Sequence, residues 1–165
     1  MGIKRIVSHL VSGDLRLHRL FPGVVLRRIE QAIAEVEQTH AGQIRFAVEP
    51  ALELPALLAG QSARQRAIEV FSQLRIWDTE HNNGVLIYLL LADRKVEIVA
   101  DRGIDARLGQ EVWGSVCREM ETAFRQGQFE EGVIAGVRRV GQQMAEHYPH
   151  SGAKLNELQD APVLL

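Results

Sequence analysis

Cysteine is almost absent: Cys117 is the only one in 165 residues. No internal disulfide can form, and a lone thiol suits a reducing compartment, so the cytoplasm is the expected location. Long apolar runs are missing too. The longest, Val85 to Ala92, falls far short of the roughly 18 residues that cross a bilayer. The apolar stretch after Lys4 and Arg5 is broken at once by Ser8, His9, Ser12 and Asp14, which excludes an export signal. Neither charge sign dominates. Nineteen basic and twenty-one acidic residues leave a formal charge of -2, which gives no global field for nucleic acid or an anionic surface. Any charge-dependent function is therefore local, and no nucleic-acid partner is expected.

Catalytic signatures are also lacking. There is no glycine loop with a lysine for phosphates, no nucleophile elbow, no paired-histidine zinc helix and no cysteine pair. What is present, 46% hydrophobic and 24% charged residues, describes one ordinary globular domain that needs no covalent or metal staple. Cys117 itself lies at apolar helical spacing with Trp113, Val116 and Met120, which marks a packing thiol.

Residues 1–20 form an amphipathic segment with Ile3, Ile6, Val7 and Leu10 on one helical face. Six Lys or Arg through Arg28 face the single acid Asp14. The segment reads as a helix docked on the body with its charged face in water, and second as a contact for an acidic partner or lipid headgroups. Pro22 opens a helix whose apolar residues Val25, Ile29, Ala32, Ile33 and Val36 repeat at threes and fours until Gly42. Ile44, Phe46 and Val48 then alternate with polar residues, the pattern of a strand buried on one face. Ala63 to Leu74 reads as a crossover helix, and the Gly84 to Leu91 run as a central strand covered on both sides. Ala92, Asp93 and Arg94 turn tightly into a third strand at Lys95 to Ala100. Two further helices are centred on Val112 to Phe124 and Phe129 to Met144. The fold class is α/β, a three-layer α-β-α sandwich around a mixed sheet of about four strands. The body spans 21–149, and 150–165 reads as a polar tail with a loose apolar end.

Between Trp77 and Asp105, six acids outnumber three bases. Antiparallel pairing of the second and third strands puts Asp78, Glu80, Asn82 and Asn83 at the same end as Asp101 and Asp105, with Asp93 at the other. Four carboxylates and two amides on loops are the oxygen donors a hard divalent cation takes, calcium first and magnesium second. Asp78 and Asp101 can equally serve as turn or capping acceptors. Arg102 reads as the neutralising partner of Asp101 or Asp105, or second as a phosphate contact.

The pieces Asn83-Gly84-Val85-Leu86-Ile87, Asp93-Arg94-Lys95-Val96, Arg102-Gly103-Ile104 and the pair Phe124 to Gly127 and Phe129 to Gly132 together resemble the TPM domain, a family named in part for a thylakoid-lumen phosphatase. The resemblance covers about residues 21–149. It implies a three-layer sandwich, divalent cation binding in some members, phosphatase activity in plant members and auxiliary roles beside membrane complexes. Two positions depart from the family pattern. Asn82 stands where many members have an acid, and Asp101-Arg102 stands where they have a Gly-Tyr pair, so the carboxylate is relocated. The leading expectation is a soluble, non-enzymatic module binding a divalent cation through Asp78, Glu80, Asp101 and Asp105, with Asn82 or Asn83 lending carbonyls. The alternatives are a weak metal-dependent acid phosphatase and an adaptor that docks on a membrane complex or protein partner.

Overall fold

The computed structural model describes residues 3–149 and 156–165. Strands β1 (Gln43–Glu49), β2 (Gly84–Leu90), β3 (Lys95–Ala100) and β4 (Val163–Leu164) form one sheet in the order β3-β2-β1-β4. β1 and β2 run parallel, from Gln43 opposite Gly84 to Glu49 opposite Leu90. β3 returns antiparallel to β2, and β4 lies parallel to the other side of β1. The sheet is mixed because a four-residue connection can only reverse the chain, whereas the route from β1 to β2 is long enough to carry two helices. These are α4 (Leu54–Leu58) and α5 (Ala63–Gln73). Ser62 caps α5 by accepting the N–H of Gln65, whose side chain returns a bond to the Ser62 N–H.

Two separate hydrophobic clusters follow from the alternation of the strands. Ile44, Phe46, Val48, Val85, Ile87, Leu89, Val96 and Ile98 point to one side. They pack there on α3 (Gly23–Glu37), α7 (Gln110–Arg125) and α8 (Phe129–His147). Ala47, Leu86, Tyr88, Leu90 and Val99 point to the other side, against Leu57 of α4 and Ala67, Val70 and Phe71 of α5. Every residue of β2 is buried, as a strand between two helical layers requires. The molecule is the expected three-layer sandwich.

β1 departs from the one-sided strand that its alternation suggests, because all seven of its residues are buried. Its polar row is covered and bonded instead of solvated. Glu49 accepts from Arg66 Nε at 2.9 Å and from the Tyr88 hydroxyl at 2.5 Å. Arg45 donates to the carbonyls of Gln159 and Ala161, and Gln43 Oε1 accepts the N–H groups of Glu157 and Leu158. The final ten residues are therefore no loose end: they run along β1 and supply the fourth strand. Residues 150–155, with His150, lie outside the described part.

Two further elements correct the sequence reading. The stretch after β3 is helical, α6 (Arg102–Leu108), where loops were expected to carry Asp101 and Asp105. At the N-terminus, α1 (Ile3–Val11) and α2 (Asp14–Leu20) both lie on the body; of the apolar face expected for α1, Ile6 packs on the core while Val7 and Leu10 turn outward, and polar residues take their place. Arg5 bonds Asp93, Ser8 Oγ donates to the Ala92 carbonyl at 2.6 Å, and His9 is buried between Asp93 and Leu52.

Candidate functional site

The amino ends of β1 and β2 and the carboxyl end of β3 meet at one end of the sheet, where most of the candidate residues collect. Asn83, which leads into β2, is held from three directions. Its N–H donates to Thr79 Oγ1 at 3.1 Å, its side-chain amide donates to the Ala41 carbonyl at 2.7 Å, and its carbonyl accepts the Gln43 N–H at 3.0 Å. The residue is 2% exposed and its Oδ1 is buried without a hydrogen-bond partner. Asp101 extends the β2–β3 ladder by donating its N–H to the Gly84 carbonyl at 2.9 Å. It then caps α6, with Oδ1 accepting the Arg102 N–H at 2.7 Å. Its Oδ2 is buried without a partner as well. Leaving a buried acceptor unsatisfied costs roughly 1 to 3 kcal/mol and more for a charged group, so each of these two oxygens at this end of the sheet invites a donor or a cation.

The surrounding backbone is pressed close. Asn82 adopts a left-handed conformation, φ 49°, which an asparagine side chain tolerates better than most. Its carbonyl and that of His81 point at Gly103, where a Cβ would lie 2.6 and 3.1 Å from the two oxygens. The hydroxyl of Tyr148 donates to the Gly103 carbonyl, and the Arg107 guanidinium stacks 4.4 Å above the Tyr148 ring. Asn83, His81, Gly103, Arg107 and Tyr148 border a cavity of about 560 Å³.

The four carboxylates expected here are not gathered. Among the described residues no three His, Cys, Asp or Glu side chains come close enough to share a metal ion. Asp78 and Glu80 are exposed, and the Glu80 N–H is bonded to the carboxylate of Glu157. Asp105 lies in the first turn of α6 and accepts from the Gln110 side chain at 2.7 Å. Asn82 is exposed and contributes backbone shape. Arg102 makes no ion pair among the described residues; its N–H, not its guanidinium, meets Asp101. The site therefore reduces to Asp101 and Asn83, with the His81 and Asn82 carbonyls beside Gly103. These are hard oxygen donors, matched in chemistry to calcium or magnesium and unsuited to a soft metal. Arg107 and Tyr148 escape the sequence reading because they reach the site from outside the acidic stretch.

Elsewhere, Cys117 is partly buried against the core, and burial pushes its thiol up to about 12. It is a packing thiol. Trp113 is buried and Trp77 half-exposed. No helix among the described residues is long and apolar enough to cross a membrane.

A family model described as the TPM domain matches residues 20–143. The chain is similar to the BA42 protein of the psychrophilic bacterium Bizionia argentinensis, solved by NMR. The identity is 27% over 85% of this chain and 92% of that one, with a TM-score of 0.74. It also shares its fold with the N-terminal domain of a protein from P. gingivalis, at 20% identity over 81% and 83% of the two chains and a TM-score of 0.62. A search of curated protein sequences gives no match.

Proposed function

The chain belongs to the TPM domain family, and from that premise we propose that it is a binding module that holds a divalent cation at the amino end of its parallel strands. The observation that carries this reading is the pair of buried, unpartnered oxygens, Asn83 Oδ1 and Asp101 Oδ2. Each lies at this end of the sheet without a donor from the protein, and a cation held by the Asp101 carboxylate would satisfy the charged one of the two. With a single buried carboxylate the site is weak, in the range of about 10⁻⁴ to 10⁻³ M that low ligand charge gives. Calcium is the first candidate and magnesium the second. The lone thiol is the ground for placing the protein in the cytoplasm.

Calorimetric titration of calcium and of magnesium into the wild type and into Asp101→Asn tests this. Heat in the wild type that disappears in Asp101→Asn supports the reading, because the asparagine keeps an oxygen for the helix cap and removes the charge. Equal heats in both, or none in either, contradict it.

Phosphate-ester hydrolysis is the second reading, favoured by Arg107 in the wall of the same cavity, where it can meet a phosphoryl oxygen. A p-nitrophenyl phosphate assay decides it. Turnover that needs both the cation and Arg107 supports hydrolysis, and turnover unchanged in Arg107→Gln contradicts it.

A further inference from the structure

Helix α1 is largely inverted. Its polar residues Arg5, Ser8 and His9 are turned inward, and Ser12 just beyond it is also buried. Each inward group is pinned by a specific bond. Arg5 Nη2 lies 2.9 Å from Asp93 Oδ2 and also donates to the Gln61 carbonyl at 3.0 Å. His9 Nδ1 accepts the Leu52 N–H at 3.0 Å, which leaves its proton on Nε2, 3.0 Å from Asp93 Oδ1. Ile6 packs on the core beneath the helix, but three apolar residues point away from the body: Val7 is 51% exposed, Leu10 68% and Val11 74%. On α2, Leu15 is 90% exposed, while Leu17 faces the core. A helix on a water-facing surface ordinarily does the reverse. Scattered exposed leucines need no explanation, but an apolar stripe on one helix followed by an exposed leucine on the next does.

We propose that this stripe docks the protein on an anionic lipid surface. Lys4 and Arg19 are exposed on the same two helices, where Asp14 is the only acid in residues 3–20, and Glu53 is the exposed acid beside Leu54. A positive rim around an apolar strip complements anionic headgroups over acyl chains. The same rim disfavours a second copy of this chain, because a two-fold contact brings the basic groups of both copies together. Nine residues of helix rise only about 14 Å, so α1 lies in the interface instead of crossing it. Leu54 and Leu58 of α4, between the Leu52 and Gln61 contacts of α1, are exposed at the same end of the sheet. The surface is at the carboxyl ends of β1 and β2, opposite the cation site, so docking leaves that site open to solvent.

Vesicle flotation with the full chain tests the proposal. Vesicles of phosphatidylcholine with equimolar phosphatidylglycerol are expected to carry the protein, those of phosphatidylcholine alone far less, and binding is expected to fall as salt rises. The double substitution Leu10→Ser and Leu15→Ser lowers binding by about tenfold or more, and Lys4→Gln with Arg19→Gln lowers it by about tenfold on the anionic vesicles. All four side chains are exposed, so the thermal melt serves as the folding control and is expected to stay in place. No binding to the mixed vesicles, or binding indifferent to both pairs of substitutions, overturns the proposal. So does a concentration-dependent dimer in sedimentation that the leucine substitutions dissolve, since the stripe would then belong to a second copy.

Discussion

Asp101 accepts the N–H of Arg102 at 2.7 Å through Oδ1 and keeps Oδ2 buried without a partner. One carboxylate thus performs two tasks: it starts α6, and it offers a charge-bearing acceptor to whatever can reach it. The two tasks separate by substitution. Asp101→Ala removes the cap and is expected to cost about 1 to 2 kcal/mol. Asp101→Asn keeps a capping oxygen and is expected to cost less in the same urea titration.

Gly103 fixes how closely the 81–82 backbone approaches α6. A methyl group there would sit 2.6 Å from the Asn82 carbonyl, a contact that backbone must move to relieve. Gly103→Ala is therefore expected to destabilise the fold by about 2 kcal/mol, despite the better helix propensity of alanine. Urea unfolding of the variant checks the sign.

Under α5, Glu49 is buried and bonded to Arg66 and to the Tyr88 hydroxyl. Burial, together with the hydrogen bond and charge of Glu49, pushes the Tyr88 phenol well above its ordinary range. Glu49→Ala strands the guanidinium and the hydroxyl together, and we expect a loss of about 3 kcal/mol, read from the denaturation midpoint. A loss below half that figure would mean water reaches Arg66 freely.

The Cys117 thiol, raised to about 12 chiefly by burial, gives a chemical prediction. At neutral pH its thiolate fraction is roughly a thousandfold below that of a thiol with an ordinary value near 9. Iodoacetamide should therefore label the native protein far more slowly than the urea-unfolded chain. The linkage has a definite sign. The stability that the thiol contributes is complete below the ordinary value and is lost as pH rises from about 9 through 12, because the unfolded chain ionises first.

The three layers were legible because β2 is apolar on both faces and α3, α7 and α8 keep their helical periods over many turns. Other features were hidden for identifiable reasons. The polar row of β1 reads as solvent-facing, since nothing local announces that residues 157–161 return to cover Gln43 and Arg45. β4 is two residues long, too short for any period. α6 has only seven residues and a glycine at its second position, which weakens its helical signal. Asp78, Glu80, Asp101 and Asp105 do lie at one end of the hairpin, but a shared end is a coarser thing than a shared point. Asp105 turns to Gln110, and Asp78 and Glu80 face water. In α1 the apolar period gave the helix and misdirected its faces, because Asp93 and the Leu52 N–H pin the polar residues inward.

The cation site is tested most directly by following backbone amide resonances while calcium, and separately magnesium, is added to millimolar concentration. We expect saturable shifts at Asn83, Gly84 and residues 101–103, small changes elsewhere, and loss of the response in Asp101→Asn. An absence of shifts with both ions, or shifts confined to Asp78 and Glu80, would contradict a site built on the two buried oxygens.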